Sequence, residues 1–146
     1  IHVGAVVADQ GIIQGDAYGT LRYRRMLAAD VKIFADVLAK HGAPLVPLDV
    51  EQEARDAAYR GLADALIVSG KGTGEPTDLA RLRTVRQAVP DRPVLVGSGA
   101  TPETVRRLLE VADGVIVGTS IKRDGKLANP VDPARVEALV RASGVR

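Results

Sequence analysis

Two short turns carry the residue types best suited to holding an anion: Val96-Gly97-Ser98-Gly99 and Val117-Gly118-Thr119-Ser120. Each closes an apolar run. Glycine there lets a ligand approach the backbone, and free amides can point at negative charge. A single loop of this kind is better explained as a tight strand-to-helix turn. Two of them, 21 residues apart at successive strand ends, match the way the last two strands of phosphate-binding barrels share one phosphate. The expected ligand is a phosphorylated small molecule or inorganic phosphate, held by Gly97, Ser98, Gly99, Gly118, Thr119 and Ser120.

A third glycine-rich stretch, Val68-Ser69-Gly70-Lys71-Gly72-Thr73-Gly74-Glu75-Pro76, looks more like a nucleotide loop than either turn. It fails as one. A P-loop needs a glycine five positions before Gly70, where Ala65 stands, and Ser or Thr directly after the lysine, where Gly72 stands. Its expected role is a lid at the mouth of the site, with Ser69 and Thr73 lining it and Lys71 closing over the ligand. Lys71 is either an anion contact, a base if desolvated, or a solvated loop lysine.

Other residues fall at loop positions near the same mouth. Asp36 is an inward carboxylate at a strand end or a capping residue. With Lys71 it is the candidate for the reacting end of a substrate. Lys40 and His41 offer acid–base chemistry near neutral pH or form a surface pair. Asp9 and Gln10 lie in the first loop. Arg22, Arg24 and Arg25 make a charged helix face or a binding patch.

Composition narrows the classes. The chain has no Cys, which excludes disulfides and thiolate metal sites and fits a reducing compartment, hence a cytoplasmic protein, peripheral to a membrane at most. Two histidines, His2 and His41, give no basis for a His-rich metal cage, and neither metal nor cofactor is called for. Basic residues exceed acidic ones by only 20 − 18 = 2, and aromatics are scarce, so nucleic acid is not an expected partner. No apolar run reaches the roughly 20 residues that span a bilayer.

The elements that must position these residues are legible as a strand–helix alternation. Apolar runs at Val3–Val7, Val31–Phe34, Ala65–Val68, Val94–Val96 and Val115–Val117 read as strands covered on both faces. Between them lie helical patterns: 16–27, interrupted by Gly19; one opened by Asp49 with Gln52; and a stripe of Leu79, Leu82, Val85 and Val89. Two more start with Thr101-Pro102 and Asp132-Pro133, each a cap before a first-turn proline. Five βα units in 146 residues suit one domain of the α/β class. They form either a complete five-stranded open parallel sheet or five of the eight strands of a TIM-type (β/α) barrel, which needs about 250 residues.

Taken together, Asp9–Ile13, Leu21–Arg25, Lys32–Val37, Ala65–Gly74, Val94–Gly99, Gly114–Ser120 and the stretch 126–133 resemble the BtpA/SgcQ family over essentially the whole chain. The resemblance implies a (β/α)₈ barrel of the ribulose-phosphate-binding type with its phosphate site at the last two strands. It places this chain on the fourth to eighth strands, as one partial-barrel domain over residues 1–146. Such a piece is expected to self-associate or to pair with a missing N-terminal half. The family is named for biogenesis or stability of photosynthetic membrane complexes, while other members sit in sugar-metabolism contexts. Its pattern usually has a histidine two residues after the aspartate at position 36; Leu38 stands there instead, which weakens a His-based mechanism in this loop.

Overall fold

The computed structural model describes residues 5–8, 11–28, 30–37, 43–45, 47, 49–70 and 77–144. Its centre is a four-stranded parallel sheet of β3 (Phe34–Asp36), β5 (Ala65–Val68), β6 (Val94–Val96) and β7 (Gly114–Val115), in that order. In register, Ala35 lies beside Leu66 and Leu66 beside Val94, while Val68 lies beside Val96 and Val96 beside Val115. Side chains alternate across a strand. These residues therefore share one face, and with Val37 they form the core together with the helices.

The helices follow from local sequence. Asp78, Asp49 and Asp132 each accept a backbone N–H two residues on, opening α3 (Leu79–Ala88), α2 (Val50–Arg55) and α5 (Pro133–Ser143). Pro133 sits in the first turn of α5, where its missing N–H costs nothing. A π-helical turn, Asp56–Arg60, continues α2 and buries Ala57 and Ala58. On α3, Leu82, Val85 and Ala88 are buried against the sheet. The 16–27 pattern forms α1 (Ala17–Met26), capped by Asp16 through the Gly19 amide, with no side chain fully buried.

Three expectations shift. The first apolar run does not join the parallel sheet. It forms β1 (Ala5–Ala8), which pairs antiparallel with β2 (Gly11–Gln14) and with β4 (Ala43–Pro44) in a separate three-stranded sheet. Gly11 adopts φ +100, a conformation open to glycine, and the chain returns through Ile12 and Ile13 as a partner strand. The parallel sheet thus has four strands among the described residues, not five, and the second strand lies at Phe34–Asp36, not at Val31–Phe34. The Thr101-Pro102 start also moves. Helix α4 covers Val105–Leu109, and residues before it form a turn in which Thr104 Oγ1 accepts from Thr101 N at 2.9 Å and donates to Gly99 O at 3.2 Å.

At the end of the sheet opposite the glycine turns, two aspartates repeat one device. Asp64, just before β5, accepts from Ile33 N at 2.7 Å and from Arg24 Nη1 of α1 at 3.0 Å. Asp113, just before β7, accepts from Val94 N at 2.8 Å and from Arg86 Nη1 of α3 at 2.8 Å. Each pins a helix to the start of a strand.

Candidate functional site

All four parallel strands point the same way, so their carboxyl ends share one edge of the sheet, where α/β proteins place their ligands. Asp36 ends β3, Ser69 follows β5, Gly97 follows β6 and Gly118 lies beyond β7. Asp36 is in register with Ile67, and Ile67 with Leu95, so the three share the face away from the helices. Gly97 joins that face: a β-carbon on it would fall on Ser69 Oγ and 2.6 Å from Ile67 Cγ2.

The two glycine turns converge. Gly97, Ser98 and Gly99 from one and Gly118, Thr119 and Ser120 from the other line a single cavity of about 400 Å³, within the range of small-molecule sites. Gly99 takes φ +76, turning the chain at the cavity wall. Beyond Gly118 a short 3₁₀ turn, Thr119–Ile121, is closed by Ile121 N on Gly118 O and Lys122 N on Thr119 O. These bonds use carbonyls, so the turn's own bonding leaves the amides of Gly118, Thr119 and Ser120 available.

The hydroxyls stitch the loops together. Ser98, buried, accepts from Gly70 N at 3.0 Å through its Oγ, while its carbonyl accepts from Thr77 Oγ1 at 3.0 Å. Ser120 Oγ donates to Ala100 O at 2.7 Å, and its carbonyl accepts from Arg135 Nη1 of α5 at 3.0 Å. Ser69, expected at the mouth, is also buried. The start of the glycine-rich stretch is therefore anchored to the β6 turn through Gly70. Lys71 and Thr73 lie outside the described residues, as do Asp9, Gln10, Lys40 and His41.

Among the described residues no charged side chain lines the cavity; their polar groups are backbone and hydroxyl groups, which would meet an anion with dipoles and not with a counter-charge. Glu103, in the turn before α4, has its carboxyl held below the usual range, chiefly by a hydrogen bond from Thr101. Among the described residues no three His, Asp or Glu gather into a group that could hold a metal ion. No described helix is long and apolar enough to cross a membrane. Sequence reasoning missed five wall residues of the same cavity, Ala100, Thr101, Ile116, Val117 and Leu127. It also missed the tie from Thr77.

The comparisons with known proteins agree with this architecture. The sequence profile of the BtpA family matches residues 1–144. The chain belongs to the BtpA family. It is 44% identical over 142 residues to the photosystem I biogenesis protein BtpA of Synechocystis sp., covering 97% of this chain and 50% of that protein. With the putative sgc region protein SgcQ of Escherichia coli it shares 36% identity over 137 residues, 93% of this chain and 51% of the relative. The chain thus spans about half the length of the curated relatives it matches. In structure it is similar to N-(5'-phosphoribosyl)anthranilate isomerase from Pyrococcus furiosus, with a TM-score of 0.55 at 19% identity, over 87% of this chain and 56% of the isomerase. That likeness concerns the fold: this BtpA-family chain is built of parallel βα units of the TIM-barrel type.

Proposed function

We propose that this BtpA-family chain supplies the phosphate-holding end of a barrel that binds a phosphorylated small molecule, a phosphosugar or a nucleotide. The observation that supports it is the meeting of two glycine turns on one cavity whose described lining carries no charged side chain. Charge-assisted hydrogen bonds from amides to a phosphate contribute about 1.5–3 kcal/mol each. No titratable side chain of the described residues lines the cavity, so it acts as a handle, and Asp36 and Lys71 remain the candidates for the reacting end of the ligand.

Titrating inorganic phosphate and sugar phosphates into the full-length protein, followed by NMR, is expected to shift the amides of residues 97–99 and 118–120. No binding at millimolar ligand, or shifts confined to other loops, would sink the proposal. A β-carbon on Gly118 meets no atom within 4 Å. Gly118→Val is therefore expected to keep the wild-type melting temperature while filling the cavity and weakening phosphate at least about tenfold.

A second reading follows from the name of the Synechocystis relative: a peripheral, non-enzymatic factor for a membrane protein complex. The same variant separates the two. Full rescue of a deletion strain by Gly118→Val favours the assembly role, and loss at wild-type protein level favours ligand binding.

We also propose that the outer strands of the parallel sheet, β3 and β7, are covered in the working protein by further strands, from a second copy or an N-terminal half. Phe34 on β3 is 49% exposed, and open sheet edges invite pairing. Residues 1–146 expressed alone are expected to elute from size exclusion as more than a 15.4 kDa monomer. A compact, stable monomer would count against it.

A further inference from the structure

The cavity between the glycine turns has a mixed lining. Beside the residues of the two turns it is lined by Ile116 and Leu127, two large apolar side chains that remain 45% and 61% exposed.

Both are held in place. Ile116 directly follows β7, and its amide donates to Val96 O at 2.8 Å. Leu127 sits on a strap that leaves the barrel end at Lys122 and returns at Val131, where the two residues form an antiparallel bridge. Arg123 N donates to Pro130 O at 3.0 Å, Asn129 N to Lys126 O at 3.0 Å, and Asn129 Nδ2 to Arg123 O at 2.9 Å. A strap tied at both ends and across its middle fixes where Leu127 stands. A large apolar side chain fixed in the open beside the glycine turns forgoes its burial until something apolar covers it.

Ile116 and Leu127 offer no hydrogen-bond partner. Sugar hydroxyls laid against these two side chains would lose water without gaining partners from them, which is costly.

Resting on the phosphate-handle reading above, we propose that Ile116 and Leu127 form the selecting wall of the cavity. The ligand is a phosphate monoester that presents an apolar or aromatic face to these two side chains, which favours the nucleotide over the phosphosugar of that reading. Leu127 determines specificity; it does not hold the phosphate.

Calorimetry on the full-length protein with three probes tests this: inorganic phosphate, ribose 5-phosphate and phenyl phosphate. Phenyl phosphate is expected to bind about tenfold more tightly than ribose 5-phosphate, the scale set by burying part of an aromatic face. Leu127→Asn, a change at an exposed position, is expected to remove most of that preference while shifting inorganic phosphate less than about twofold. Ile116→Thr is expected to do the same by an independent route. Equal affinity for the two esters, or a variant that weakens all three probes alike, overturns the wall. If phosphate binds and the esters are not distinguished, only this inference falls. If no phosphate binds, the handle reading falls with it.

Discussion

Gly97→Ala is expected to lower the folding free energy by about 1–3 kcal/mol, the usual cost of forcing a methyl into a packed interior. The added carbon would fall on Ser69 Oγ and 2.6 Å from Ile67 Cγ2. Neither neighbour can retreat cheaply. Ser69 is buried, and the segment before it is locked in β5, whose Val68 carbonyl accepts from Gly97 N at 2.8 Å. Relief therefore requires β5 and β6 to spread, and that pair lies at the centre of the parallel sheet. For a domain of this size the loss corresponds to a drop of roughly 3–10 °C in melting temperature. Thermal unfolding of Gly97→Ala beside Gly118→Ala makes the comparison sharp, because the second glycine has open space where the first has none. Equal melting of the two variants would show that the close approach of Gly97 to Ser69 is absent from the protein. Phosphate affinity should fall in both: through displaced backbone at Gly97, and through a filled cavity at Gly118.

The contrast also shows what sequence patterns reveal. Both glycines were legible as turn residues at strand ends, because glycine followed by Ser or Thr after a Val run is a pattern of residue types. That one is there for packing and the other faces open space is a fact about neighbours from other strands. Ile116 was read inside a strand, Val115–Val117, which lies instead at Gly114–Val115, and Leu127 carried no signal, since an apolar residue in a loop is common and only the folded strap sets it beside the turns. The central strands Ala65–Val68 and Val94–Val96 were read with their observed bounds because parallel strands covered on both faces leave unbroken apolar runs. That same signal misled at the chain's beginning. Ala5–Ala8 is as apolar as a parallel strand, and only the return through Gly11, Ile12 and Ile13 marks it as half of a hairpin. Proline at a helix start was reliable after Asp132, whose carboxylate caps, and unreliable after Thr101, where Thr104 ties the turn instead. One repeat stood in plain view. Ala63-Asp64-Ala65-Leu66-Ile67-Val68 and Ala112-Asp113-Gly114-Val115-Ile116-Val117 share a pattern whose aspartates perform the same strand-pinning task.

Asp64→Ala is expected to destabilise the fold by about 1–2 kcal/mol and to flatten its response to acid. The carboxylate accepts from Ile33 N at 2.7 Å and from Arg24 at 3.0 Å, so its removal strips the partner from the amide of a buried residue and frees the arginine of a helix with little other anchorage. The lower part of the range for a lost charged acceptor applies because solvent reaches both side chains, which are 27% and 33% exposed. Hydrogen bonding from Ile33 N is the largest effect and holds the Asp64 carboxyl below its ordinary value; burial opposes it as the second, and the positive charge of Arg24 adds a smaller lowering. A carboxylate depressed in the folded state stabilises the fold above its unfolded value near pH 4, and that contribution is lost as pH falls through the folded value. Urea midpoints measured from pH 6 down to pH 2 are therefore expected to fall less steeply for Asp64→Ala than for wild type, with the two curves converging at the acid end. Asp64→Asn separates the two contributions: its amide oxygen can still accept from Ile33 N while the attraction to Arg24 is gone. It is expected to lose less stability than the alanine variant at pH 7 and to show the same shallow acid limb. A full acid limb in both variants would place the acid sensitivity elsewhere. The next candidates are Asp91, depressed chiefly by the Tyr59 hydroxyl, and Glu103, depressed chiefly by Thr101.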